Sequence, residues 1–377
     1  MNFSALPSSA TASPSPVATI FMRVFGSLSY ALLSAMSIAM NCLLIAVLSY
    51  GHYQFRRMAF FTLAWQMIVC DLMAQSIQMI VAVPITFTGK AVYGHSFLYY
   101  ALLFLDTVAY NVTLHFSALL TINRLGVFFL PRINELLFSY PNIFKTIAFL
   151  WLYVFVFCSC YIMIGCRKSF SETGFFMYHD CPEQLSPAGI LFRQISYSLS
   201  TYLPVFMLLS YLLIFVYFRY FFSFPKKVAP PGIKTAAKEA EEFLAQIKRK
   251  QELKFLIQSF LICGFLEVQN LAFDWVPTIF SSLKDQWSFL VTFAENWISI
   301  LLNSISPIIL FCFNTDVRKC LHQLVRHFFL AIPPSPNRQP AAAAVPVQRL
   351  TPITPAAQMI RPRQLLQRPF HSAIHFG

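Results

Sequence analysis

The sequence predicts an all-α membrane protein, a seven-transmembrane helix bundle followed by a short amphipathic helix. Of its 377 residues, 57% are hydrophobic and only 11% are charged, whereas soluble domains are typically about 45–50% apolar and about 25% charged. The apolar residues form seven long runs, and the basic residues gather in alternate connections between these runs. These observations exclude an ordinary soluble protein.

Each of the seven apolar runs is long enough to cross a bilayer as a helix. A spanning helix needs about 20 apolar residues, and irregular backbone cannot face lipid, so the runs must be helical. No run carries more than one Asp, Glu, Lys or Arg. The predicted spans are 24–51, 58–87, 97–123, 147–165, 194–218, 255–273 and 288–313.

Lysine and arginine are distributed unequally between the two sides of this bundle. Seven spans place the termini on opposite sides, and 22 of the 28 basic residues then share the side of the C-terminus. Because basic loops remain in the cytosol, we expect a multi-pass plasma-membrane protein with the N-terminus outside and the C-terminus cytosolic. Basic loops at the anionic inner leaflet also account for the net charge of +13 without nucleic acid as a partner.

The segments outside the bundle differ in composition. Asn2 begins an Asn-x-Ser sequon and is a candidate for glycosylation. Apolar residues recur at helical spacing after the last span, where Cys320 is either acylated or an unmodified thiol, and nine prolines follow in a polar tail. The predicted domains are a short extracellular N-terminus (1–22), the seven-transmembrane bundle (23–313), an amphipathic cytosolic helix (314–330) and a disordered cytosolic tail (331–377).

A polar stripe runs along the third span. Its members recur mostly three or four residues apart, so they share one helix face, and a polar face within a membrane turns toward the bundle interior. Two interpretations remain open. The stripe either makes hydrogen bonds among the helices, or it provides a ligand contact at its outer end and a partner contact at its inner end. It consists of Asp106, Tyr110, Thr113, Ser117 and Arg124.

Four short motifs together resemble those of rhodopsin-like G-protein-coupled receptors. They are "MNCLLIAVL" (40–48), "IVCDLM" (68–73), "INRLGVFFLP" (122–131) and "SPIIL" (306–310). The resemblance implies that Asn123, Arg124 and Pro307 serve activation and coupling to a heterotrimeric G protein. Asn123 stands where most of these receptors carry an acid, which implies a weaker resting lock and some basal activity.

A narrower resemblance is to nematode serpentine chemoreceptors of class x or neighbouring classes. It rests on Asn123-Arg124, on "LFS" (137–139), and on Cys166 followed by Cys181 in the loop after the fourth span. This resemblance implies a chemosensory role, location in sensory-neuron cilia and a Cys166–Cys181 disulfide, with two free thiols as the alternative.

The resemblance also suggests two polar sites. Asp106 matches the position that pairs with cationic amines in amine receptors, and its neighbours in a ligand site would be Tyr110, Glu267 and Glu295. A second group resembles the sodium pocket of the family, and either a sodium ion or a structural hydrogen-bond cluster fits it. No other metal or cofactor is expected. The members of this second group are Asn41, Asp71, Thr113, Asn303 and Ser306.

Other functional classes fit the sequence less well. No His-Glu-x-x-His, nucleophile elbow or phosphate loop indicates an enzyme, and the seventh span has no lysine for a retinal Schiff base. We therefore expect a ligand-activated receptor that binds a small molecule in its outer half. The alternatives are a seven-helix ligand-gated channel and a non-signalling membrane scaffold or transporter.

Overall fold

A computed structural model describes residues 18–56, 58–94, 96–182, 184–223, 257, 260–273, 275, 276, 279 and 288–329. Asn2, nearly all of the predicted N-terminal segment, most of the connection between the fifth and sixth spans, and the predicted tail at 331–377 lie outside these residues.

The described chain is an all-α bundle with one small β-hairpin, so the predicted fold class is confirmed. Six helices are long and apolar enough to cross a membrane, and the described part of the sixth predicted span is a shorter apolar helix. The helices are α1 (Ile20–Tyr50), α2 (His52–Phe55), α3 (Ala59–Ile77), α4 (Val83–Thr88), α5 (Phe97–Phe128), α6 (Pro131–Phe138), α7 (Asn142–Met163), α8 (Pro187–Ser223), α9 (Phe260–Phe273), α10 (Ser288–Phe313) and α11 (Thr315–Phe329). A π-helical segment, Gln78–Ala82, joins α3 to α4.

α5 is the central helix of the bundle. It packs against α3, α6, α7 and α8, and most of its residues between Val108 and Arg124 are buried. Its first turn is capped by Ser96, whose Oγ accepts a hydrogen bond from the backbone N–H of Tyr99 at 3.3 Å. The helix continues five residues beyond the predicted end of the third span, to Phe128.

Three of the spanning helices contain a proline: Pro84, Pro204 and Pro307. A proline has no N–H, so the carbonyl four residues earlier loses its helical donor. In each case a side chain from outside that helix donates to this carbonyl, which satisfies the acceptor and adds a tertiary contact. The pairs are Tyr93 Oη to Ile80 O (2.6 Å), Asn270 Nδ2 to Ser200 O (2.7 Å) and Asn41 Nδ2 to Asn303 O (3.0 Å).

The β-hairpin lies between α7 and α8. Its strands are β1 (Arg167–Phe170) and β2 (Met177–Asp180), which pair antiparallel with Lys168 opposite His179. Cys166 and Cys181, the residues that flank the two strands, are joined by a disulfide. Below, the end of the bundle that carries this hairpin is called the hairpin end, and the end near Arg124 is called the far end.

α11 begins at the far end and is amphipathic as predicted. Val317 and Cys320 are buried, whereas Arg318 and Lys319 are exposed. Cys320 Sγ packs so closely beneath Gly51 that a Cβ on Gly51 would come within 2.9 Å of it. Burial and the neighbouring Asp316 raise the pKa of the Cys320 thiol. Acylation of Cys320 and an unmodified thiol both stay predictions, and this buried position with a raised pKa favours the unmodified thiol.

Candidate functional site

The polar stripe of α5 faces the bundle interior. Asp106, Thr113, Ser117 and Arg124 are each less than 10% exposed, and Tyr110 is half-buried. Asp106 lies near the hairpin and Arg124 lies 18 residues further along, which is about 27 Å at 1.5 Å per residue. One helix therefore connects the two ends of the bundle through buried polar groups.

Asp106 is paired with Lys168 of the hairpin. The Lys168 Nζ lies 2.5 Å from Asp106 Oδ2, and the two side chains are only 13% and 7% exposed. Glu295 is 6% exposed, and its Oε2 has no hydrogen-bond partner among the described residues. The Lys168 ammonium also interacts electrostatically with Glu295.

Several contacts fix the hairpin on the helices. The Phe170 N–H donates to Tyr99 Oη on α5 at 2.9 Å, next to the Lys168–Asp106 pair. The Phe175 carbonyl accepts from Asn296 Nδ2 of α10 at 2.7 Å and from Tyr30 Oη of α1 at 3.2 Å. Because three helices hold the loop, the hairpin covers one end of the bundle in a defined position.

Loss of the Cys166–Cys181 disulfide is expected to loosen this cover. Cys181→Ser opens a link between residues 15 apart in sequence, and a loop of this size contributes about 3 kcal/mol in the chain-entropy model. We expect a lower melting temperature and faster amide exchange confined to 166–181. Cys160→Ser, which alters a free thiol on α7, is the matched control. Equal melting temperatures for the two variants would contradict this expectation.

A small cavity of about 30 Å³ lies beneath the Lys168–Asp106 pair, which is room enough for a water molecule. Its polar lining comes mainly from Asp106, Tyr110, Thr113, Lys168, Gln269 and Ser299. Of the four predicted ligand residues, Asp106 and Tyr110 therefore line this cavity, whereas Glu267 and Glu295 do not.

Tyr110 connects the cavity to two other helices. Its hydroxyl donates to Asn270 Oδ1 on α9, and Asn270 Nδ2 donates to the Ser200 carbonyl that Pro204 leaves available on α8. A movement of Tyr110 at the cavity wall would therefore act directly on the junction of α8 and α9.

At the far end, two of the three predicted coupling residues, Asn123 and Arg124, lie among α3, α5 and α6, whereas Pro307 lies on α10. The Arg124 guanidinium stacks on the Phe60 ring at 5.4 Å from its centroid. Asn123 Nδ2 donates to Asn134 Oδ1 at 2.9 Å. α6 approaches α5 so closely here that a Cβ on Gly126 would lie 2.8 Å from the Asn134 Cβ. Asn123 thus makes a neutral hydrogen bond to another amide, whereas an acidic residue at 123 would make an ion pair.

Comparison with known protein families identifies the bundle. The family described as serpentine type 7TM GPCR chemoreceptor Srx matches residues 32–314. The chain belongs to this family. The match confirms the resemblance drawn from the sequence motifs, and this Srx protein is a multi-pass membrane protein. A search of curated proteins found no match.

The sodium-like group of the Srx protein is only partly assembled. Asn41 Nδ2 donates a hydrogen bond to the backbone carbonyl of Asn303. Asp71 is 2% exposed, and its Oδ2 has no hydrogen-bond partner among the described residues. Asn41 Oδ1 is a second buried oxygen without such a partner. Both atoms are oxygens, the ligand type that hard cations take. Ser306 instead lines a separate apolar cavity.

Three contact residues of the Srx protein were not identified from the sequence: Lys168, Asn134 and Asn270. Lys168 was counted only as one of the few basic residues outside the cytosolic loops, and Asn134 follows Pro131 at the start of a short helix that hydropathy does not reveal. Asn270 is one turn of α9 beyond Glu267, at i+3, and this spacing was the one available hint that it faces the bundle.

Proposed function

We propose that this Srx protein is a ligand-activated chemosensory receptor that couples a small molecule, bound beneath the hairpin, to a cytosolic heterotrimeric G protein. The observation that carries the proposal is the cavity at the hairpin end, whose wall residue Tyr110 contacts the α8–α9 junction. The excess of basic residues on the C-terminal side supports an extracellular hairpin end in the plasma membrane. By family resemblance, the membrane is that of sensory-neuron cilia.

Activation would proceed through the α8–α9 junction. A ligand that contacts Tyr110 shifts Asn270 and weakens its bond to the Ser200 carbonyl, so α9 moves relative to α8. A small apolar cavity of about 20 Å³ near the far end, lined by Phe60, Leu120, Ile262 and Leu310 among others, marks a place where the packing of these helices is incomplete. The movement opens a cleft beside Arg124 for the G protein, and the ligand selects this packing by binding it more tightly.

The decisive experiment is nucleotide exchange in vesicles that contain only the purified receptor and a G protein. A ligand found by screening is expected to accelerate exchange with the wild type and not with Arg124→Ala, at equal ligand binding. An evoked current without G protein would favour the ligand-gated channel, and ligand binding with neither response would favour a scaffold or transporter.

Tyr110→Phe tests the proposed route from the cavity. It removes the hydroxyl bond to Asn270 and leaves the Asn270–Ser200 bond in place, so we expect near-normal stability and a several-fold smaller ligand-evoked exchange. Asn270→Leu removes both bonds and should also lower stability by about 1–3 kcal/mol, because the Ser200 carbonyl loses its donor. If Tyr110→Phe responds like the wild type, the route runs elsewhere.

The Asp71 group is proposed to hold a sodium ion through the carboxylate, with Asn41, Thr113, Asn303 and Ser306 as its polar surroundings. Replacing choline chloride by sodium chloride at constant ionic strength should raise the melting temperature of the wild type. The rise should disappear in Asp71→Asn, whose side chain keeps its shape and loses its charge. A wild-type melting temperature that is insensitive to sodium would leave a structural hydrogen-bond cluster as the explanation.

A further inference from the structure

We propose that Lys168 is a built-in cation of the ligand cavity, which fills the place where the amine of a cationic ligand would meet Asp106. The native ligand is then a neutral, oxygen-bearing molecule such as an alcohol or a ketone. This inference rests on the proposed function only in taking the cavity beneath the hairpin as the ligand site.

The first support is the geometry of the pair. The Lys168 ammonium lies 2.5 Å from the Asp106 carboxylate, both side chains are almost completely buried, and both line the cavity. A ligand ammonium would have to break this contact and then leave the lysine charge buried without its closest counterion. Replacement of one buried cation by another gains little, so a free amine has no advantage at this position.

The second support is the way in which β1 is held. The disulfide at Cys166 precedes Lys168 by two residues, and the backbone of Phe170, two residues after it, is bonded to Tyr99. Between these anchors, Arg167 stacks on the ring of Tyr100 at 5.1 Å. The backbone on both sides of Lys168 is therefore fixed, and the ammonium is preorganised next to Asp106.

The third support is the hydrogen-bonding capacity that the cavity offers. An ammonium has three N–H donors, and one hydrogen bond joins Lys168 to the described residues. The Gln269 side chain donates to Ser299 Oγ at 3.1 Å, and its Oε1 has no hydrogen-bond partner among the described residues. The cavity thus offers the Lys168 ammonium as a donor and the Gln269 amide oxygen as an acceptor. The donor suits a ligand oxygen that accepts a hydrogen bond, and a ligand hydroxyl can pair with both groups.

The test restores the missing cation from solution. Lys168→Ala removes three carbon atoms and the nitrogen, which is the skeleton of n-propylammonium. The purified variant should gain several degrees in melting temperature with millimolar n-propylammonium chloride, and the wild type should gain none. Neutral n-propanol should be much weaker, and Lys168→Ala/Asp106→Ala should not respond, since the anion is then absent.

Three results would overturn the proposal: no stabilisation of Lys168→Ala by n-propylammonium, equal stabilisation of the wild type, or equal stabilisation by n-propanol. If Lys168→Ala fails to fold on its own, its surface yield is measured with n-propylammonium in the growth medium. Recovery of the yield supports the proposal, and an unchanged yield overturns it.

The ligand class is tested separately on the wild type with n-butanol, butanone and n-butylamine. Stabilisation by the alcohol or the ketone supports the inference, and stabilisation by the amine alone contradicts it. Because these measurements report binding and require no G protein, they can fail while nucleotide exchange still succeeds. The reverse outcome, rescue of binding without any exchange, would count against the proposed signalling function instead.

Discussion

Lys168→Met is expected to lower the free energy of unfolding by about 3–5 kcal/mol, the usual cost of removing one partner from a buried ion pair. Methionine keeps the length of the side chain, so the loss arises from charge. Asp106 would remain buried without its cation. Denaturant unfolding of the purified protein in micelles measures this loss.

Asp106→Asn should be milder, at about 1–2 kcal/mol, because the amide oxygen still accepts a hydrogen bond from the lysine. The double variant Asp106→Asn/Lys168→Met should recover most of the loss, since no unpaired charge remains in the pair. Arg167→Met on the same strand is the control, because it removes an exposed cation that only stacks on Tyr100. A double variant no more stable than Lys168→Met would contradict a dominant charge effect.

Sequence patterns were sufficient for the architecture because the bilayer imposes strong rules. Every spanning segment must be apolar and helical, and this requirement produced seven recognisable runs. The helix ends were less predictable, because an apolar run reports the hydrocarbon thickness and local capping decides where a helix begins. α1 begins before the predicted span, where Thr19 Oγ1 accepts from the Met22 N–H, and α5 continues past Arg124.

The candidate site was predictable only along single helices. Asp106, Tyr110 and Arg124 share a face of α5, and helical periodicity places them together. Lys168 is 62 residues from Asp106 in the sequence, and their contact depends on the register of the hairpin and on its anchors to three helices. No periodicity links a loop residue to a helix in this way, so the pairing of Asp106 with a lysine of the protein itself could not be predicted.

At the far end, Asn123→Asp is expected to lower basal G-protein activation about five- to tenfold. In the wild type, Asn123 holds α6 through a neutral bond to Asn134, next to the buried Arg124 guanidinium. An aspartate would accept from the Asn134 amide, once that group rotates, and would add attraction to Arg124. Hydrogen bonds with a charged partner are about twice as strong as neutral ones, and about 1.4 kcal/mol in favour of the resting packing corresponds to a tenfold smaller active population.

Ligand-free nucleotide exchange, normalised to the number of receptors, measures this effect. Asn123→Asp/Asn134→Asp is the matched variant, because two carboxylates then face each other across the α5–α6 contact and repel. We expect the second substitution to reverse the decrease and to raise basal exchange above that of Asn123→Asp alone. Basal exchange that stays the same in Asn123→Asp would show that the Asn123–Asn134 contact does not hold the resting state, and the weaker lock implied by Asn123 would have to be abandoned.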